Sequence, residues 1–435
     1  MFKNTQYPVS YHTSVTKQLV PFSRLNGAKK YDVCVVGAGF MGCSTSIHLA
    51  KLGYKVCLVE AKRVGWGASG RNGGQLGYGM TKLQPDLIEQ YTAEKTRIFW
   101  DISVESVELF HQLCEEYEID CDFQSGNMAC GLTTAHMDYL VKHANIVNGY
   151  GRQIFEILDQ EETVRQTGSP IYKGSILSHR AGHINPLKYV LGLAKAAQKL
   201  GVDIYEESPA LAISDGIPAQ VTFHDGQIFA DKIVLGCNGY IGNLNKTLAK
   251  RILPVDNYQA ATEPLDDHIL KSVINNGACA WDMARSVHYF RITPDRRLTM
   301  GCAIGIPNRK PRNLERECRK HLEYVYPHLT DVKLDYIWGG TLGGNHESLP
   351  DVGQLSENIF FAQAFTGHGV GLAPLLGKLI AEKINGTSDK FDFLARVKHR
   401  NIIGGTKLRI PAVLAYKFFT NSLDMLTRYK LNSKK

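Results

Sequence analysis

The hydrophobic pattern of the chain is clearest over residues 31–60, YDVCVVGAGFMGCSTSIHLAKLGYKVCLVE. An apolar run meets three glycines. A helix-like run from Phe40 to Leu52 follows, then a turn at Gly53 and a second apolar run ending in Glu60. Two short apolar runs flanking a helical stretch predict one strand-helix-strand unit. Near the other end, residues 358–384 read as a strand from Ile359 to Ala364, a turn Thr366-Gly367-His368-Gly369 and a helix from about Leu372. Shorter apolar runs at Val202–Tyr205 and in KIVLGCNGY predict two more strands. Between these lie two blocks, about 85–180 and 245–335, with alternating runs such as NMACGLT, HYFRIT and RLTMGCA that suggest an antiparallel sheet.

The expected fold class is therefore α/β: a Rossmann-like dinucleotide-binding domain interleaved with an α+β domain built on a mostly antiparallel sheet. The expected boundaries are 30–84, 181–244 and 336–400 for the first domain and 85–180 and 245–335 for the second. Residues 401–435 form a basic carboxy-terminal extension with helix-like apolar spacing after Pro411. That extension packs on its own domain in the preferred reading, with a membrane-surface contact as the alternative.

Composition narrows the class. Hydrophobic residues are 44% and charged residues 21%, the balance of a folded globular protein. The net charge of +8 is mostly dispersed; the one basic concentration begins at Arg396 and Lys398, ends in Arg428, Lys430, Lys434 and Lys435 and reads as a solvated terminal face, so nucleic-acid binding has no support. Cys34, Cys43 and Cys57 sit in apolar runs as small hydrophobes. Without a C-x-x-C pair or a histidine cluster at ligand spacing, no metal is expected. The first thirty residues lack the apolar core of a secretory signal and no 18 apolar residues run together, so a cytoplasmic location is expected.

The glycines of the first unit fit the dinucleotide fingerprint. Gly37 makes the tight turn, Gly39 lets backbone N–H groups approach a pyrophosphate, and Gly42 lets the helix pack on the sheet, with Phe40 and Met41 between them. Glu60, followed by Ala61, can accept the ribose hydroxyls and disfavours a 2′-phosphate. Strand, helix, second strand and terminal acid occur in order, but this motif alone does not separate FAD from NAD.

The segment after Glu60, AKRVGWGASGRNGGQLGYG, points to FAD. Seven glycines between Gly65 and Gly79 suit a backbone that lies against something flat or anionic. Its Ser69, Gly70, Arg71, Asn72, Gly73, Gly74 and Gln75 offer groups for phosphate, ribityl and flavin-edge atoms. The second helix start, at Gly367, His368, Gly369 and Val370, could stabilise negative charge on a reduced flavin. No second complete glycine fingerprint is present for a nicotinamide nucleotide, so electrons are expected from an organic substrate.

GAGFMG, GASGRNGG and FTGHGVGLAPLLGKLIAE together resemble the D-amino acid oxidase superfamily of FAD-dependent oxidoreductases. VGWGASGRNGGQ, HINPLKYVLGLAKAA, YFRITPDRRL and Trp338-Gly339-Gly340 are similar to its gamma-glutamylputrescine oxidase group, over roughly residues 30–400. The resemblance implies oxidation of the C–N bond of a small amine or amino acid to an imine that hydrolyses. It also implies FAD contacts at Ala210, Asn238 and Gly239. The FAD is expected to be non-covalent, because Cys318 lies far from the position of the attaching cysteine of sarcosine oxidases, and no histidine stands in Gly65-Trp66-Gly67-Ala68.

His368 is expected beside the flavin and Tyr258, Tyr289 and Arg291 on the roof over it, orienting substrate; core tyrosines and an ion-paired arginine are the competing readings. Where sarcosine oxidases carry a lysine that promotes reaction with oxygen, this chain reads Arg297-Leu298-Thr299-Met300. The acceptor is thus left between oxygen and a quinone or carrier, and a flavin-binding protein without catalysis remains a third possibility.

Overall fold

The computed structural model describes residues 6–307, 309–406, 408, 411 and 413–415. Two sheets organise it. The first has strands in the order Asp351–Ser356, Ile359–Gln363, Gly226–Leu235, Gly27–Val36, Val56–Val59 and Asp203–Tyr205, parallel from Ile359–Gln363 to the last strand. Strands buried on both faces must be apolar throughout, which is why VCVV and VCLV carry no alternation. Val33, Cys34 and Val35 are wholly buried, as are Cys57 and Leu58.

Helix Phe40–Lys51 connects the first two of these strands in sequence and packs against helix Gly369–Ile384. The approach is close: a Cβ on Gly377 would stand 2.6 Å from the Met41 carbonyl oxygen. Small hydroxyl residues make it possible. Ser44 donates to the carbonyl of Pro374 at 2.7 Å, while Thr45 and Ser46 donate back along their own helix to Met41 and Gly42. This second helix begins at Gly369, three residues before the start expected from its apolar spacing, because Gly369 and Gly371 present no side chain to the sequence pattern.

The second sheet has nine strands, in the order Leu334–Gly344, Leu253–Thr262, Leu298–Gly305, Tyr289–Ile292, Cys279–Asp282, Gln124–Gly131, Gly174–His183 and Gln75–Leu76, with Glu156–Leu158 also on Gly174–His183. Every pairing is antiparallel except that of Cys279–Asp282 with Gln124–Gly131. Strands Gly174–His183 and Leu334–Gly344 thus cross the expected boundaries at 181 and 336. A domain border drawn from pattern falls at a turn, whereas these strands begin in one segment and end under the other.

Cys302 and Cys318 are paired and join strand Leu298–Gly305 to helix Leu314–Val325, whereas Cys34, Cys43 and Cys57, expected as small hydrophobes, are free and buried. No helix among the described residues is long and apolar enough to cross a membrane. Most of the expected extension 401–435, with its four basic residues from Arg428 onward, lies outside the described residues.

Candidate cofactor and substrate site

One cavity of about 1790 Å³ lies between the two sheets. Its volume is well beyond the roughly 300–1,000 Å³ of a drug-sized pocket, so it has room for a large cofactor and a small molecule together. One end is floored by Gly37, Gly39, Phe40, Met41, Glu60 and Ala61, and the other is walled by Asn127, Trp281, Tyr289 and Arg285.

The glycine turn has the geometry its spacing predicts. Gly37 has φ of +107° and donates to the Val59 carbonyl at 2.8 Å; a Cβ there would lie 2.9 Å from the Gly236 oxygen. A Cβ on Gly42 would sit 1.9 Å from the Gly37 oxygen, so only glycine lets the helix reach the turn. Gly39 faces Ser69 Oγ at 2.8 Å from its notional Cβ, and that hydroxyl accepts the Phe40 N–H at 3.0 Å. Ser69 therefore caps the open helix end that a ligand phosphate would otherwise meet alone.

Glu60 is half-buried, with Oε2 accepting from the Ala38 N–H at 2.9 Å and Oε1 from the Lys62 N–H at 3.0 Å. Burial raises its pKa, against the lowering effect of these backbone donors. Each carboxylate oxygen keeps lone-pair capacity for a hydroxyl. A glycine cradle that no Cβ could enter, a helix amino terminus and a half-buried carboxylate form the set of groups that an adenine dinucleotide requires.

The glycine-rich loop lines the cavity with backbone more than with side chains. Asn72 Nδ2 donates to the Ala68 and Ser69 carbonyls and its Oδ1 accepts the Gly74 N–H at 2.8 Å. Arg71, expected to meet phosphate, donates to the Gly339 carbonyl at 2.8 Å and to the Tyr240 hydroxyl at 2.6 Å, and its guanidinium lies over Trp66. Gln75 donates to the Ala280 carbonyl at 2.9 Å. These polar side chains hold the loop to its surroundings. Gly70 and Gly74 do not line the cavity; their notional Cβ atoms would lie 2.3 Å from the Gly65 oxygen and 2.1 Å from the Ile184 oxygen.

Asn238 and Gly239 also line the cavity. Asn238, at φ of +46°, accepts the Ala364 N–H through Oδ1 at 2.9 Å. Gly367 at φ of +94° then turns the chain so that His368, Gly369 and Val370 reach the cavity. Burial pushes the His368 pKa down to about 4, so its ring is neutral at pH 7 and adds no charge at this helix start. Ala210 also lines the cavity, with Pro209 and Ser208.

The four residues expected on the substrate side divide. Tyr289 lines the cavity beside the loop: its ring lies between Gly73 and Gly301, whose notional Cβ atoms would reach it at 2.7 and 2.0 Å, and its hydroxyl donates to Asn257 Oδ1. His368 lines the same cavity. Tyr258 does not. Strand Leu253–Thr262 turns Leu253, Val255, Asn257 and Gln259 to the cavity, so strand alternation directs Tyr258 to the other face, against Ala260, Leu314 and Cys318. Arg291 shares the face of Tyr289 but lies under the loop, where Nε donates to the Gly73 carbonyl at 3.0 Å and Nη2 to the Ile184 carbonyl at 3.1 Å. It orients the loop instead of contacting the cavity.

Several cavity residues had no local signature. Tyr240 accepts from Arg71 and from the Thr341 N–H, and Gln259 Nε2 donates to the Arg71 carbonyl. Trp281 donates to Asn127 Oδ1 at 3.0 Å, and both line the cavity. Only the KIVLGCNGY stretch, which ends in Tyr240, pointed toward any of them.

The family described as FAD dependent oxidoreductase matches residues 32–383. The chain is 34% identical over 409 residues to a gamma-glutamylputrescine oxidoreductase of Escherichia coli (strain K12), covering 94% of this chain and 96% of that protein. It is 33% identical over 439 residues to a probable oxidoreductase OrdL of Haemophilus influenzae, covering 99% of each. Among solved structures, glycine oxidase from Geobacillus kaustophilus superposes with a TM-score of 0.71 at 19% identity, over 86% of this chain and all of that one. L-proline dehydrogenase from P.horikoshii gives 0.69 at 20% identity, over 84% of this chain and 96% of that one.

Proposed function

The chain belongs to the family of FAD dependent oxidoreductases acting on amines or amino acids, and from that membership we propose that its substrate is a small amine of the gamma-glutamylputrescine kind, with oxygen as acceptor. The observation that carries this reading is the continuous cavity lined both by the glycine cradle at Gly37–Met41 and by Asn127, Trp281 and Tyr289. A dinucleotide bound at Glu60 and the two helix starts would leave the far end for substrate. The likeness to the gamma-glutamylputrescine oxidoreductase over nearly the full length of both chains supports the substrate class.

When bound, FAD supplies the two-electron acceptor for the C–H bond next to nitrogen. Gly37, Gly39 and Glu60 would hold its adenosine half, and the Asn72–Gly73 backbone, Gly367, His368, Gly369 and Val370 its flavin half. The substrate loses two electrons and two protons to become an imine, which water converts to a carbonyl compound and the amine fragment. The nitrogen must be neutral to release electrons. Apolar walls at Ala129, Phe155, Ile176 and Trp281 disfavour an ammonium and so lower its pKa. His368, held neutral by burial, does not add a repelling cation.

We hold the FAD to be non-covalent. Cys302, which lines the cavity, is bonded to Cys318; burial pushes the thiol of Cys237, the other cysteine of the lining, up to about 12 and away from the nucleophilic thiolate; and Gly65-Trp66-Gly67-Ala68 offers no nucleophile of its own. A second reading, electron transfer to a quinone or carrier, is supported by Arg297: it is held by Asp295, Asp335 and the Thr262 carbonyl and does not line the cavity, so it is no substitute for an oxygen-activating lysine.

Anaerobic addition of gamma-glutamylputrescine, putrescine, sarcosine and glycine to the yellow protein tests the substrate class. Bleaching by the first within seconds and by the others at least about tenfold more slowly supports it; bleaching by the amino acids alone refutes it. Re-oxidation in air with one peroxide released per imine supports oxygen as acceptor. Bleached flavin that persists in air but recovers with a quinone establishes the second reading.

A further inference from the structure

Residues 6–25 precede the segment matched by the family, which starts at 32, and they run along the outer side of the glycine-rich loop. Tyr7 donates to the Val64 carbonyl at 2.6 Å, Trp66 Nε1 to the Gln6 carbonyl at 3.0 Å and Arg63 Nη2 to the Leu19 carbonyl at 3.0 Å. Glu206 joins both partners: it accepts from the Phe22 N–H on one side and from Arg63 Nε and the Val64 N–H on the other. In the middle, the short helix Tyr11–Val15, capped by Ser10, inserts His12 until it is 1% exposed, edge-on to Trp338 and with Nε2 3.1 Å from the Asn72 carbonyl oxygen.

That contact has a directional consequence. Three consecutive carbonyls are each held by side chains: Arg71 by Gln259 and Trp338, Asn72 by His12, Gly73 by Arg291. In a trans peptide the C=O and N–H point in opposite directions. An Asn72 carbonyl fixed on His12 therefore turns the Gly73 N–H away from His12, toward the cavity that Gly73 lines.

We propose that residues 6–25 form a clamp that holds the glycine-rich loop in its FAD-accepting conformation, with His12 as the positioning residue that sets the Asn72–Gly73 peptide. The chemistry of His12 suits a fixed donor. A carbonyl partner requires the proton on Nε2, while buried Nδ1 has no partner, so the ring is neutral and a second proton would be left without an acceptor. Burial, reinforced by the Arg291 charge, pushes its pKa down to about 3. If the docked clamp strengthens FAD binding, FAD must strengthen clamp docking by the same factor.

The inference rests on FAD as the cofactor. Trypsin cleavage after exposed Lys17 in the full-length wild-type chain, with FAD removed and then restored, reads the coupling without any mutation. FAD is expected to slow that cleavage at least about tenfold. In parallel, apoprotein titrated with FAD is expected to bind about tenfold more weakly as His12→Ala, the loss of one buried hydrogen bond, and within about threefold of wild type as His12→Gln, which keeps an N–H donor. Cleavage at one rate with and without FAD, or a wild-type dissociation constant in His12→Ala, overturns the clamp. If His12→Ala does not fold, the wild-type cleavage rates decide alone. A wild-type chain that neither holds nor takes up FAD overturns the cofactor reading itself.

Discussion

Replacing Arg291 with methionine separates a loop-orienting role from a substrate-binding one. The guanidinium is 3% exposed, makes two hydrogen bonds to carbonyls and has no carboxylate within ion-pair reach among the described residues. Methionine fills a similar volume and removes two opposing terms. The charge-assisted bonds contribute about 1.5–3 kcal/mol each. Taking an unpaired cation out of water costs several kcal/mol, a cost the substitution relieves. Relief of the buried cation offsets only part of that loss, so global stability is expected to fall by about 1–3 kcal/mol. Within the loop the loss is local: the Gly73 carbonyl loses its donor, at about 1–3 kcal/mol, unless the loop moves. FAD affinity should fall about ten- to a hundredfold, while KM for the amine in FAD-saturated enzyme stays within about threefold of wild type. Flavin fluorescence titration of apoprotein reads the first and anaerobic bleaching the second. A KM raised a hundredfold with FAD affinity unchanged would refute the reasoning and restore Arg291 to the substrate.

The two tyrosines should respond differently: Tyr289→Phe keeps the ring between Gly73 and Gly301 but loses the Asn257 bond and is expected to lower kcat/KM by about three- to tenfold, about one hydrogen bond, whereas Tyr258→Phe should leave it unchanged. Equal losses in both would contradict the assigned strand faces. Acid should destabilise the fold before the carboxylates titrate, because burial pushes His12, His143 and His183 to about 3 and His48 and His368 to about 4. Their folded values lie below the unfolded 6.5, so stability present above that pH is lost as pH falls toward the folded values, by up to about 1.4 kcal/mol per histidine per pH unit. Melting temperatures between pH 7.5 and 5 check this, and a flat profile would count against buried neutral rings.

What was legible in the chain was what depends on neighbours in sequence. The strand-helix-strand unit, the three glycines of its turn and Glu60 at the end of the second strand are set by backbone sterics and local apolar runs, and the structure places them as the spacing implies. The glycine-rich loop and the His368 turn were found for the same reason: glycines with positive φ, such as Gly74 and Gly367, mark themselves in a sequence. Only the tertiary structure decided which side chains face the cavity. Tyr258 and Tyr289 look alike as aromatic residues in alternating strands, but a one-residue change of strand parity exchanges the cavity for the core. Arg71, Asn72 and Arg291 carry the polar atoms expected of ligand contacts, yet those atoms bond to the loop's own backbone and to groups distant in sequence. His12 had no signal, since its partner stands 60 residues away and no local pattern encodes such a contact. Periodicity records the conformation of a segment; which surface it meets depends on how distant segments pack, and that packing chose the residues of the site.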